Sequence, residues 1–243
     1  LEVMRDERKR GRDILSPLRA RNLPFESKVT GPMFVRGSVS GRLSLGGNES
    51  GAYVVYKNDE RGFKNPEGIW DSGKASLIAV GDSFTHGASV SMSHDIVGVI
   101  REHYPNSLNL GWSGIGPLYY YQNLIEFGSV LKPETVLFIW FEGNDVTDLL
   151  EERKTPLLAK YIGRKEPLGL FHLQAELDRF HQESIAEPTG VPIAVYTEKA
   201  RQIVTLYNLR KLFGVGAAGS RHPIIFDWLS KMGGKKQTQN YPP

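Results

Sequence analysis

Three residues in this chain have the types and placement that acyl-transfer chemistry needs: Ser83, Gly114 and Asn144, each lying past the end of a strand-like run. Ser83 closes the stretch S-L-I-A-V-G-D-S, in which the apolar run 76–80 is followed by Gly81 and Asp82. Making or breaking an ester requires a nucleophile and preorganised donors aimed at the oxyanion of the tetrahedral intermediate. Ser83 offers a hydroxyl and a backbone N–H. Gly114 offers a second N–H with no Cβ to keep a substrate away from the backbone. Asn144 offers a side-chain NH₂. Serine and aspartate are also favoured helix N-caps, so the local pattern at residues 82–83 fits a plain capping role equally well.

Positioning these residues requires strands that end side by side. The run 76–80 is the pattern of a buried parallel strand, 107–110 is a short strand leading into G-W-S-G-I-G-P, and 135–141 (T-V-L-F-I-W-F) is the most strand-like run in the chain. A helix is expected at 88–104, with Val90, Ile96, Val97 and Ile100 on its buried side and Pro105 ending it. A second is expected at 118–131, stopped by Lys132 and Pro133. The resulting βαβαβ array implies a parallel sheet with right-handed crossovers, and in such sheets ligands bind beyond the carboxyl ends of the strands. Ahead of it, residues 1–23 read as a helix interrupted near Pro17. The alternation of Val35, Val39, Leu43 and Leu45 within 28–56 suggests a small antiparallel hairpin, and 58–65 (N-D-E-R-G-F-K-N) a turn-rich connector. Beyond Thr147, 148–162 and 171–187 look helical, 191–196 is a strand or an apolar turn, 198–213 is an amphipathic helix and 224–232 a further one. The organisation expected is an N-terminal helix and β appendage over 1–73, an α/β domain over 74–232 and a disordered tail over 233–243.

G-D-S-F at 81–84, N-L-G-W-S-G at 109–114 and G-N-D at 143–145 resemble the first three blocks of the SGNH, or GDSL-type, hydrolases, in that family's order. Each block alone is weak, whereas the ordered trio, each member following a strand, is fairly specific; it spans 76–148. The resemblance implies a three-layer α/β/α sandwich around a central parallel sheet, flavodoxin-like in plan. It implies Ser83 as the nucleophile, with the Ser83 N–H, the Gly114 N–H and Asn144 as the oxyanion hole. The family includes esterases, lipases, carbohydrate deacetylases and relatives that transfer acetyl groups to polysaccharides. The departure is at the other end. The family's base and its orienting acid sit in a late D-x-x-H block, but the one late histidine here, His222 in G-S-R-H-P, has Gly219 three residues before it. Either the chain stops short of the last strand and the base, which is the preferred reading and would leave a sheet edge exposed, or it is an inactive relative.

Composition narrows the rest. Net charge is +3 from 30 basic and 27 acidic residues, and the one dense basic cluster, Arg5, Arg8, Lys9, Arg10 and Arg12, is interleaved with Asp6 and Glu7 as on a solvated helix face, so no nucleic-acid partner is expected. There is no cysteine, which excludes disulfides and thiolate metal sites. Asp82 with His86, and Asp145 with Asp148 and Glu151, are incomplete ligand sets, so no metal is expected. No cofactor is expected either: the glycines of G-W-S-G-I-G are in the wrong order for G-x-G-x-x-G, and no G-K-[ST] follows a strand. Thr85 stands where the G-x-S-x-G elbow has glycine. His86 is read as a packing or polar-surface residue rather than a substitute base. The aromatic group Trp112, Tyr119, Tyr120 and Tyr121 is read as core, with contact to an acyl chain or sugar as the alternative. The longest apolar run, 136–141, falls far short of the roughly 20 residues that span a bilayer. The chain begins at Leu1 rather than methionine, read as a cut amino end, which leaves the compartment open with an extracytoplasmic one favoured. The expected partner is a small-molecule or carbohydrate ester. Water as acceptor gives hydrolysis and a sugar hydroxyl gives acyl transfer; the rival from another class is a binding module that keeps the pocket and lacks the base.

Overall fold

The computed structural model describes residues 2–16, 24–49 and 51–186. Pro17, the expected elements at 191–196, 198–213 and 224–232, His222 and the tail 233–243 lie outside these residues. At the amino end α1 (Glu2–Lys9) stops before Gly11, whose φ of +76° is a left-handed conformation that glycine adopts without strain. The expected helix is therefore shorter than its composition suggests. Ile14 and Leu15, assigned to it on apolar spacing, instead form an extended pair, β1 (Ile14–Leu15).

Next come β2 (Pro24–Phe25), β3 (Met33–Phe34), β4 (Leu43–Leu45) and β5 (Val55–Lys57). β2 pairs antiparallel with β3, and β4 pairs antiparallel with β5 and parallel with β1. The expected hairpin is thus the β4–β5 pair. The central sheet is parallel, in the order β7-β6-β8, from β6 (Leu77–Val80), β7 (Ser107–Asn109) and β8 (Thr135–Phe138). Its crossovers carry α2 (Ser83–His86), α3 (Ile96–Arg101) and α4 (Pro117–Asn123); α4 runs on through a π turn and a 3₁₀ turn to Leu131. Lys132, at φ +45°, ends that run and Pro133 prevents its continuation, as expected. After β8 come α5 (Asp145–Glu152), α6 (Pro156–Ala159) and α7 (Gln174–Ala186). The continuous helix expected over 148–162 is broken because Thr155 is extended and Pro156 starts a new helix at its first position.

Alternation along β6 divides the packing between the two faces of the sheet. Ile78 and Val80 join Leu108, Leu110, Tyr120 and Phe127 in the main core, while Leu77 and Ala79 face Val97 and Ile100 with Leu137 and Ile139. The segments ahead of the sheet contribute to that main core through Phe25, Met33, Val35, Phe63 and Trp70, all buried. The residues read as a connector, 58–65, are mostly buried too.

Two expectations about burial are corrected. The helix placed at 88–104 exists only as α3, because Gly87 at φ +60° closes α2 and Asp95 opens α3 by accepting from the Gly98 N–H at 2.7 Å. Val90 and Ile96, which fitted the helical period, are exposed, while Val97 is fully buried. The second correction concerns β8: apolar on both sides, it nevertheless leaves Val136 40% and Phe138 41% exposed. Among the described residues β8 pairs with β6 alone.

Candidate active site

The turn after β6 is shaped by two glycines. A Cβ on Gly81 would lie 2.0 Å from Thr85 Oγ1 and 3.0 Å from the Ile139 carbonyl oxygen, and one on Gly111 would lie 2.6 Å from Thr85 Cβ. Both neighbouring strand ends can therefore close onto α2. Asp82 takes the N-cap, its carboxylate accepting from the Phe84 N–H at 2.9 Å. That resolves the choice left open at residues 82–83: Asp82 does the capping, and Ser83, at the first helical position, is exposed with a hydroxyl that has no hydrogen-bond partner among the described residues. Burial is the main influence on Asp82, raising its pKa above the usual carboxylate range, with the Asp145 charge adding to that and the cap bond opposing it.

His86, three residues on from Ser83, links α2 to the loop that carries Gly114. It is fully buried and stacks on Trp112, ring centroids 4.5 Å apart. Its Nδ1 lies 2.9 Å from Ser113 Oγ and receives the Ser113 N–H at 3.3 Å, while Nε2 lies 2.9 Å from the Tyr56 hydroxyl. A backbone N–H can only donate, so Nδ1 is the unprotonated nitrogen and Nε2 carries the proton toward Tyr56. Burial, reinforced by the Lys64 charge, lowers the imidazole pKa to about 3. A ring sealed in this way holds Ser113 in place and makes a poor base, in keeping with the packing role read from the sequence. The next residue, Gly114, has φ +76°, is exposed, and would meet nothing within 4 Å of an added Cβ. Like Ser83, it presents an N–H without a partner among the described residues.

Asn144 follows β8 and stands at the N-cap position of α5, but its side chain makes no capping bond. Its Nδ2 donates to Asp148 Oδ2, which leaves the second amide proton for another acceptor. The loop before it is held by Asp145, which accepts from the Phe141 N–H and the Tyr120 hydroxyl, each at 2.9 Å. Contact between the rings of Phe141 and Phe84, centroids 5.0 Å apart, ties this loop to α2. Ser83 and Gly114 are thus joined through His86 and Ser113. Asn144 sits on the adjoining loop, with its recorded bond to Asp148 rather than to either of them.

A clamp that sequence reasoning missed runs behind these loops. Lys64 Nζ donates to the carbonyl oxygens of Gly87 at 2.5 Å and Val90 at 2.6 Å and pairs with Asp95 at 2.9 Å, both side chains fully buried. Burial lowers the Lys64 pKa and Asp95 opposes the shift. Asn65 accepts from the Asn109 N–H at 2.7 Å and donates to the Asn109 carbonyl at 3.0 Å. The Asn109 side chain in turn donates to the Thr85 carbonyl at 2.6 Å and accepts from the Gly111 N–H at 2.9 Å. Asp59 fixes the clamp, accepting from the Arg61 and Phe63 N–H groups, Asn65 and Trp70, and burial still raises its pKa to about 6. Residues 58–65 therefore hold the end of α2 and the end of β7 at once. Polar residues flanking a glycine carry no periodic signal, and nothing in their spacing separates such a clamp from an ordinary turn.

Of the five described histidines none bonds Ser83; His222 is outside the described residues. Among the described residues no group of three or more metal-ligating side chains gathers, and no helix is long and apolar enough to cross a membrane. Comparison with family models, with curated proteins and with solved structures gave no match.

Proposed function

We propose that the chain is a serine hydrolase of SGNH type, a three-layer α/β/α protein whose Ser83 attacks an acyl or acetyl ester of a lipid or carbohydrate. The observation that carries the reading is the division of labour at α2. Asp82 has taken the cap, so the Ser83 hydroxyl has no hydrogen-bond partner among the described residues, and the same single turn of helix is bonded through His86 to the loop that presents the bare Gly114 amide. In this reading Ser83 Oγ bonds to the ester carbon, and the oxyanion collects the Ser83 and Gly114 N–H groups and the free proton of Asn144. Collapse expels the alcohol and leaves an acyl-Ser83, which water or a sugar hydroxyl then resolves. The hydroxyl proton must go to a base. Among the described residues no such base hydrogen-bonds to Ser83, so the reaction requires one from outside them; the one histidine in the rest of the given sequence, His222, lacks an acid three residues before it.

That requirement is also the observation that favours a second reading, a binding module that keeps the donors and has lost turnover. A chromogenic acetyl or butyryl ester separates them. Turnover that Ser83→Ala reduces by about 10³-fold or more supports the hydrolase, and turnover that survives the substitution removes Ser83 from the reaction. No turnover even by a chain extended through any downstream coding sequence favours the module. Where turnover is present, loss of one donor in an Asn144→Ala variant is expected to cost about 10²-fold in kcat.

A further inference from the structure

We infer that the cleft between α4, α5 and the turn at residues 161–163 is a binding site for a small amphiphile with one anionic head, in chemical class a medium-chain carboxylate. The cleft has a volume of about 300 Å³, the lower end of the range for small-molecule sites. Leu118 and Tyr121 line it from α4, Leu149 from α5, Arg153 from the C-cap of α5, and Tyr161 and Ile162 from the turn. Arg153, the C-cap, keeps right-handed helical backbone and donates its N–H to the Leu149 carbonyl, so the two residues, four apart, lie on one side of the helix end.

The polar balance of this cleft selects the ligand. Both tyrosine hydroxyls are already committed: Tyr121 donates to the Arg164 carbonyl and Tyr161 donates to Glu126 at 2.6 Å. The two residues therefore offer the cleft their rings and no free hydroxyl. Every acid within reach along α5 is likewise engaged. Glu151 pairs with Lys154 at 2.7 Å, Asp148 accepts from Asn144, and Glu152 accepts from the Gly116 and Leu118 N–H groups at 2.7 and 2.8 Å. Arg153 has no ion pair or side-chain hydrogen bond among the described residues. Among the described residues, an apolar cleft with one guanidinium at its wall that has no ion pair, and no carboxylate among its lining residues, suits an apolar body ending in one carboxylate. The guanidinium can bind such a head through two parallel hydrogen bonds. A dication or a sugar would find no carboxylate and no free hydroxyl to meet it. The inference does not depend on Ser83 being a nucleophile.

Titration calorimetry of the whole chain with sodium octanoate, and separately with 1-octanol, tests the site by heat of binding rather than turnover. The expected result is saturable binding of one octanoate per chain, with octanol at least about 10-fold weaker because it lacks the charge that Arg153 recognises. Arg153→Gln, an exposed substitution that leaves the apolar walls in place, should weaken octanoate about 10-fold and leave octanol unchanged. Ile162→Ser should weaken both. Equal binding of acid and alcohol, octanoate affinity unchanged by Arg153→Gln, or no heat from octanoate at millimolar concentration would each overturn the assignment.

Discussion

The two sides of the central sheet differ in how they are finished. On the β7 side, backbone ends are tied by buried or half-buried side chains: Asn65 to Asn109, the half-buried Arg101 to both Asn65 and the Ser107 carbonyl, Lys64 to the carbonyls that follow α2. On the β8 side, Ile78 and Val136 are neighbours in register, yet Ile78 is fully buried and Val136 is 40% exposed. Trp140 and Phe141, past the end of the strand, are exposed as well. Equal hydrophobicity therefore does not mean equal burial. The sides also differ in which groups fix the backbone: Lys64, Asn65 and Arg101 on the β7 side, and the nearby Asp145, held by Tyr120, on the β8 side. The candidate site lies where they meet, with Ser83 and Gly114 on the tied side and Asn144 on the open one.

The sharpest way to break this contrast is at Lys64. Its replacement by alanine strands Asp95 in the interior and frees two carbonyls, and should cost about 3–5 kcal/mol in urea unfolding. Removing the partner of an exposed pair, Lys57–Glu67, should cost less than about 1 kcal/mol. Comparable losses would mean that the clamp is not the anchor described here. Next in size is the in-register pair: Ile78→Ala should cost about 2–5 kcal/mol and Val136→Ala less than about 1 kcal/mol. If Val136→Ala proved as damaging as Ile78→Ala, the β8 face would have to be covered in solution.

Acid should sharpen the picture on the tied side. His86 stays neutral in the folded chain down to about pH 3, while in the unfolded chain it takes a proton below about 6.5. Its contribution is thus complete above pH 6.5 and is lost as pH falls toward 3, at about 1.4 kcal/mol per pH unit. His181, lowered to about 4 by burial, acts with the same sign. Asp59 and Glu152, raised by burial to about 6 and about 7, act with the opposite sign, stability falling as pH rises through those values. The informative quantity is the difference between wild type and His86→Gln, which should shrink steadily from pH 6.5 to 4; a constant difference would show that the imidazole is not sealed. The smallest effect is expected at Thr85, whose buried hydroxyl has no partner among the described residues: Thr85→Val should be neutral or stabilising, by up to about 1 kcal/mol.

The strands and the order of their terminal motifs were legible because apolar runs bounded by glycine and polar residues report a buried parallel strand directly. Helix length was less so. Val90 and Ile96 matched the 3.6-residue period, but Gly87 and Asp95 ended and restarted the chain between them, a case of punctuation outweighing periodicity. Which of residues 82 and 83 caps α2 could not be read from composition, since both residue types cap well; the Asp82 carboxylate on the Phe84 N–H shows that Asp82 does. The clamp was invisible because buried lysine, aspartate and asparagine look like surface until their partners, 23 to 44 residues away in sequence, are known.

The outer rim of β8 also has a practical bearing on any bench measurement. Val136, Phe138 and Trp140 alternate along it without a lysine or proline to discourage another molecule from adding a strand of its own. Self-association there would cover the loop that bears Asn144, so rates and affinities should be followed across a dilution series, with values extrapolated to the dilute limit taken as those of the monomer.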